Sequence, residues 1–199
     1  QLVGDEILLA AMAEDPEWVR DMSATYTDLI LRDLDAVVDA GAELDGVWLF
    51  GDVAYNPSPF FSPAMYRDLL RPDHMRFCRR THELGARFIY HTDGNVNPLL
   101  DAFVEAGFDC LQPLEAKAGM NVHDLFPKYG DRISFFGNIN AVVLSTNDPA
   151  QVEQELLGKL RLGMAYRGYI YHSDHSVPPT VSWQTYQLVI RLLDEHGWY

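Results

Sequence analysis

The chain has 199 residues, 48% of them hydrophobic, and a formal net charge of −14. That composition belongs to a globular protein rather than a disordered one, and no apolar run approaches the roughly 18 residues that a membrane span requires. Strong acidity repels nucleic-acid backbones and anionic membrane surfaces, so the partners expected are small molecules and other proteins, not nucleic acid or membrane.

Five times along the chain a helical pattern ends near a glycine, and a short apolar segment follows and runs into polar residues. In the first unit, Trp18 to Ala40 reads as helix, and Gly46-Val-Trp-Leu-Phe50 reads as strand, ending on Gly51-Asp52. The second is Ser62 to Leu84, then Arg87-Phe-Ile-Tyr90, ending on His91-Thr-Asp93-Gly94. The third is Asn97 to Ala106, then Asp109-Cys-Leu-Gln112, ending near Glu115. The fourth is Val122 to Tyr129, then Arg132 to Phe136, ending on Gly137-Asn138. The fifth is Asp148 to Tyr166, then Tyr169-Ile-Tyr171, ending on His172-Ser-Asp174-His175. A last helix, Ser182 to His196, closes the series.

Glycine ends a helix because it accepts the left-handed C′ conformation. Asp15-Pro16, Ser62-Pro63 and Asp148-Pro149 each put a capping side chain before a proline that starts a helix. Short continuous apolar strands alternating with helices predict an α/β fold with parallel strands covered on both faces. Nothing resembles a linker, so residues 1–199 read as a single domain. Taken alone, the repeat is equally compatible with an open doubly wound sheet. Cys78 and Cys110 are too few for a disulfide framework, and no secretory leader is legible, which together predict reduced thiols and a cytoplasmic location.

Asp52, His91, Asp93, Glu115, Asn138, Asp174 and His175 all fall at the C-terminal ends of predicted strands. In barrels and open α/β sheets alike, ligands bind at that edge. A lone Asp there is usually a turn former or helix cap, but histidines and carboxylates from three strand ends together point to a site. In extended backbone His91 and Asp93 point to the same side. With Glu115 and His175 they make a plausible set of ligands for Zn²⁺ or another divalent metal; otherwise His91 and His175 only hydrogen-bond substrate or one another's loops. His74, His82, His123 and His196 lie in helical segments and read as surface or interhelix residues. No phosphate-binding glycine loop and no Gly-x-Ser-x-Gly elbow occurs.

The strand-end segments, in this order, resemble the uroporphyrinogen decarboxylase superfamily. The matching stretches are Gly51-Asp-Val-Ala-Tyr55 with Phe61-Ser-Pro-Ala-Met-Tyr66, His91-Thr-Asp-Gly94, Glu105-Ala-Gly-Phe-Asp109, Phe136-Gly-Asn-Ile139 and Asp174-His-Ser-Val-Pro-Pro179. The resemblance implies a (β/α)8 TIM barrel of which this chain is the C-terminal portion, with about five strands and the first three strand–helix units absent. Such an open fragment is expected to associate, as a homo-oligomer or otherwise.

Two enzymatic readings follow from the resemblance. In the first, the chain resembles the cobamide-dependent methyltransferases and O-demethylases, with His91-x-Asp93 where those enzymes have His-x-Cys. His91, Asp93, Glu115 and His175 would hold zinc, and a partner protein would supply a corrinoid. Nitrogen and oxygen ligands make a harder, more Lewis-acidic site than thiolates, which suits an ether or alkoxide oxygen better than a thiol. In the second, a cofactor-free decarboxylation, Asp52 and His175 are catalytic and no metal binds. In both, Asp52, Tyr55, Asn138 and Asp174 are expected to contact substrate. A third reading keeps the barrel only as a non-catalytic scaffold.

Overall fold

The computed structural model describes residues 3–199. Helices α1 (Asp5–Glu14) and α2 (Pro16–Asp39) lead into strand β1 (Gly46–Phe50). A two-stranded antiparallel ribbon, β2 (Ala54–Tyr55) and β3 (Ser58–Pro59), follows. The next helical stretch is continuous but not uniform: α3 (Pro63–Met65), a π-helical turn over Tyr66–Leu70, then α4 (Arg71–Glu83). From there strands and helices alternate: β4 (Arg87–Thr92), α5 (Leu100–Ala106), β5 (Cys110–Pro113), α6 (Val122–Tyr129), β6 (Ser134–Phe136), α7 (Ala141–Ser145), α8 (Pro149–Tyr166), β7 (Tyr169–Ile170) and α9 (Trp183–His196).

The main sheet has five strands in the order β1-β4-β5-β6-β7, and every neighbouring pair is parallel. The three proline-marked helix starts are capped as expected: Asp15 accepts from the Trp18 N–H at 3.1 Å, Ser62 from Met65 at 3.1 Å and Asp148 from Ala150 at 2.9 Å. The limits of β1 are those expected, and the other four strands differ by one or two residues. The consequential case is β4, which runs through Thr92, so His91 lies within the strand rather than beyond it.

Alternation sorts the strand residues into two faces. Phe88 and Tyr90 of β4, Leu111 of β5 and Phe135 of β6 are buried in the main core beneath the helices, where Phe88 and Tyr90 pack on Phe108. The other face carries Trp48, Phe50, His91, Gln112 and Phe136. Trp48 on β1 and Phe136 on β6 stand three strands apart in the sheet, roughly 14 Å if it were flat, yet their ring centroids are 5.5 Å apart. The sheet therefore curls, with this second face on its concave side, as it does in a (β/α) barrel. The strands' C-terminal ends form one rim.

Both cysteines are buried and free, and burial, aided by the nearby Asp109 carboxylate, pushes each thiol up to about 12. Among the described residues no helix is long and apolar enough to cross a membrane.

Candidate metal centre

Three ligand-bearing side chains meet at the rim. Asp52, His91 and Asp93 each offer one donor atom, and all of these atoms lie within 4.8 Å of one another. Backbone geometry brings them together. The β1–β4 register pairs Phe50 with His91, and the Gly51 N–H continues that ladder by donating to the His91 carbonyl at 3.0 Å. Asp52 is thereby delivered beside the loop that leaves β4, where the Asp93 N–H donates to its Oδ1 at 2.9 Å. Thr92 Oγ1 accepts from the Val53 N–H at 3.1 Å and ties the two loops together.

His91 is held on two sides. Phe50 stacks on its ring, with centroids 4.5 Å apart and planes 18° from parallel, and Nδ1 contacts Gln112 Oε1 of β5. Its Nε2 stands 3.8 Å from Asp52 Oδ1, beyond hydrogen-bond reach. Asp93 Oδ1 is buried with no hydrogen-bond partner. Burial, and after it the Asp52 carboxylate, raises the Asp93 pKa above the usual carboxylate value. Glu115 adds to the rise, while His91 and His175 oppose it. Two further carboxylates around Asp93, opposed by two histidines and the Lys117 ammonium, form a locally anionic pocket that favours a cation or a proton.

Comparison with known proteins places this rim in a family. The uroporphyrinogen decarboxylase (URO-D) family matches over residues 2–196. The chain belongs to that family. No curated protein matches in sequence. Among solved structures, a methyltransferase from Methanosarcina mazei superposes with a TM-score of 0.74 at 20% sequence identity, covering 96% of this chain and 53% of that one. The chain thus spans about half the length of that structure, and the likeness establishes a shared barrel fold.

Within the family frame, the expected ligand set changes. Asp52, expected as a catalytic or substrate contact, joins His91 and Asp93. Glu115 lies outside the three-donor cluster; its Oε2 accepts from the Gly94 N–H at 2.9 Å and its Oε1 pairs with Lys117 Nζ at 3.0 Å. His175 is solvent-exposed on the loop after β7, close enough for its charge to act on Asp93 but outside the three-donor cluster.

The expected substrate contacts divide in the same way. Tyr55 projects from the β2–β3 ribbon and is 72% exposed, free to meet a ligand. Asn138 and Asp174, also expected to contact substrate, are buried and hydrogen-bonded to neighbouring loops. Asn138 donates to the Leu114 and Met120 carbonyls, both at 2.7 Å, and accepts from the Val122 N–H at 3.2 Å. Asp174 accepts from the Ala116 and Ala141 N–H groups, each at 2.9 Å. They brace loops. Of the helical histidines, His74 is not a surface residue: it packs against Tyr66, Tyr90 and Phe108 and contacts the Tyr66 hydroxyl at 2.9 Å.

Gln112 and Phe50 escaped the sequence reading as site residues. A glutamine in the otherwise apolar segment Cys110-Leu-Gln-Pro113 was the available signal, since a buried amide is costly unless bonded. The three donors fit a divalent cation on two observations: an orphaned buried oxygen on Asp93, and an imidazole nitrogen turned toward a carboxylate it does not bond.

Proposed function

We propose that this chain bears the metal site of a methyltransferase or O-demethylase, which moves a methyl group between a small oxygen-containing substrate and a corrinoid carried by a partner protein. The observation that supports this most is the Asp52–His91–Asp93 donor cluster at the strand C-termini. One nitrogen and two carboxylates give three protein ligands, the number that catalytic zinc sites have, which leaves a fourth position for substrate. A divalent cation bound there supplies Lewis acidity, which stabilises negative charge on an oxygen that gains or loses a methyl group.

The protein's own residues do the remaining work. Asp52 and Asp93 would neutralise the cation and, being hard oxygen donors, favour a hard or borderline divalent ion over a soft one. His175, exposed at the mouth, is placed to hold or release a proton at the substrate oxygen. Tyr55 on the ribbon offers a hydroxyl and a ring to the rest of the substrate. Phe50 covers one face of His91 and keeps water from that side.

Two measurements test the reading together: metal content of the purified protein by elemental analysis, and methyl transfer to a free corrinoid from simple methyl ethers. Near-stoichiometric metal, with activity lost on chelation and restored by Zn²⁺, is the expected result. Full activity on porphyrinogen carboxylates after exhaustive chelation would sink it.

A further inference from the structure

We infer that Gln112 is a positioning residue, which holds His91 in the tautomer protonated on Nδ1 and so presents a bare Nε2 lone pair to Asp52 and Asp93. The inference builds on the metal reading for its purpose but stands on its own hydrogen bond.

Gln112 is 4% exposed and sits on β5 directly opposite His91 in the parallel register. Its amide oxygen contacts His91 Nδ1. An oxygen can only accept, so Nδ1 carries the proton and Nε2, in the neutral ring, does not. Turning the amide over would reverse this. The amide nitrogen would then donate to Nδ1, and an N–H on Nε2 would face the Asp52 carboxylate at 3.8 Å. The first arrangement instead leaves two lone pairs facing one another, which is the layout two ligands adopt around a shared cation. Donor atoms on a tetrahedral zinc stand roughly 3.3 Å apart, and a small closure brings Nε2 and Oδ1 to that separation.

The stacked Phe50 ring blocks rotation of the imidazole out of this plane. Ring plane and proton position are therefore fixed by two different strands, β1 through Phe50 and β5 through Gln112. A buried amide in a strand is costly without such a partner, which accounts for a glutamine at a position whose neighbours in β5 are apolar.

Two readouts on the same samples test this. Long-range ¹H–¹⁵N NMR of the metal-free protein reports the His91 tautomer, and competition with a chromophoric chelator reports Zn²⁺ affinity. Wild type should show Nδ1–H. Gln112→Leu should move the ring toward Nε2–H and weaken zinc by about 10- to 100-fold, the usual cost of losing the hydrogen bond behind a metal ligand. Gln112→Glu, which keeps an acceptor in place, should restore both. If Gln112→Leu fails to fold, Gln112→Asn, one methylene too short to reach, should show the same loss. An Nε2–H tautomer in wild type, or unchanged tautomer and zinc affinity in Gln112→Leu, overturns the inference. Wild type with Nδ1–H but no zinc uptake removes the metal reading and leaves the role of Gln112 standing.

Discussion

The loop that leaves β4 and the loops that leave β6 and β7 lie along the same rim, yet they treat their polar side chains oppositely. Asp93 keeps a buried oxygen with no partner, whereas Asn138 and Asp174 commit theirs to backbone groups of neighbouring loops. Position at a strand end is thus common to both sets, and what separates them is whether hydrogen-bonding capacity is left over. A saturated side chain holds structure; an unsaturated one, kept near other charges at a cost in stability, is available for chemistry.

The largest effect should come from disturbing the saturated set. Asn138→Ala strands the Val122 N–H and the Leu114 and Met120 carbonyls in the interior and puts alanine at a φ of 69°. A loss of about 3 kcal/mol is expected in urea unfolding. A loss below about 1 kcal/mol would erase the distinction between the two loops.

His91→Ala should do the converse. Zinc affinity should fall by more than the 10- to 100-fold typical of an outer hydrogen bond, because a ligand itself is gone. The metal-free protein should lose only about 1 to 2 kcal/mol, the cost of leaving the Gln112 amide oxygen without its partner. A cooperative collapse of the fold in that variant would move His91 into the structural group.

His74 sharpens the contrast among histidines. Packed between Tyr66, Tyr90 and Phe108, it is desolvated and lowered to about 4. Its ordinary value is near 6.5, so between these limits the unfolded chain binds more protons and stability falls as the pH drops. Urea unfolding from pH 7 down to pH 4 should show a loss of about 2 kcal/mol from this residue. His74→Leu should lack that part of the slope.

The smallest effect concerns Asp93 without metal. Its pKa is raised by burial and by Asp52, so the folded state resists its ionisation and loses stability as the pH rises through its titration. Asp93→Asn removes that charge and should stabilise the metal-free protein by up to about 1 kcal/mol at pH 7 while abolishing zinc binding. A destabilised variant at neutral pH would show that the Asp93 charge is compensated after all.

The sheet was legible because each of its signals is local. Apolar runs, proline-marked caps and glycine stops act within a few residues, and all five strands and their parallel order follow from them. Even so, the glycine rule worked for two reasons. Gly107 ends α5 with a φ of 95°, the left-handed turn expected, whereas Gly130 has a φ of −65° and is needed for space, since a Cβ there would sit 2.8 Å from the Phe126 carbonyl oxygen. The site was only half legible. His91 and Asp93 share a strand exit and could be paired from spacing alone. Whether Asp52 or Glu115 joined them could not be read from spacing, because the Gly94 N–H that binds Glu115 lies 21 residues before it and the Asp93 N–H that binds Asp52 lies 41 residues after it. The β2–β3 ribbon carried too few residues to register as strands.

Gly94 carries a consequence for anyone wishing to move this site elsewhere. Its φ is 78°, and a Cβ at that position would lie 2.8 Å from the backbone of Ala54 and Tyr55, while its N–H is taken by Glu115. The exit of β4 is therefore moulded against the ribbon on one side and the β5 loop on the other. Grafting His91-Thr-Asp93-Gly94 onto a foreign barrel would transplant the letters without the mould. The smallest portable unit is three loops, those after β1, β4 and β5, and these must be inherited together.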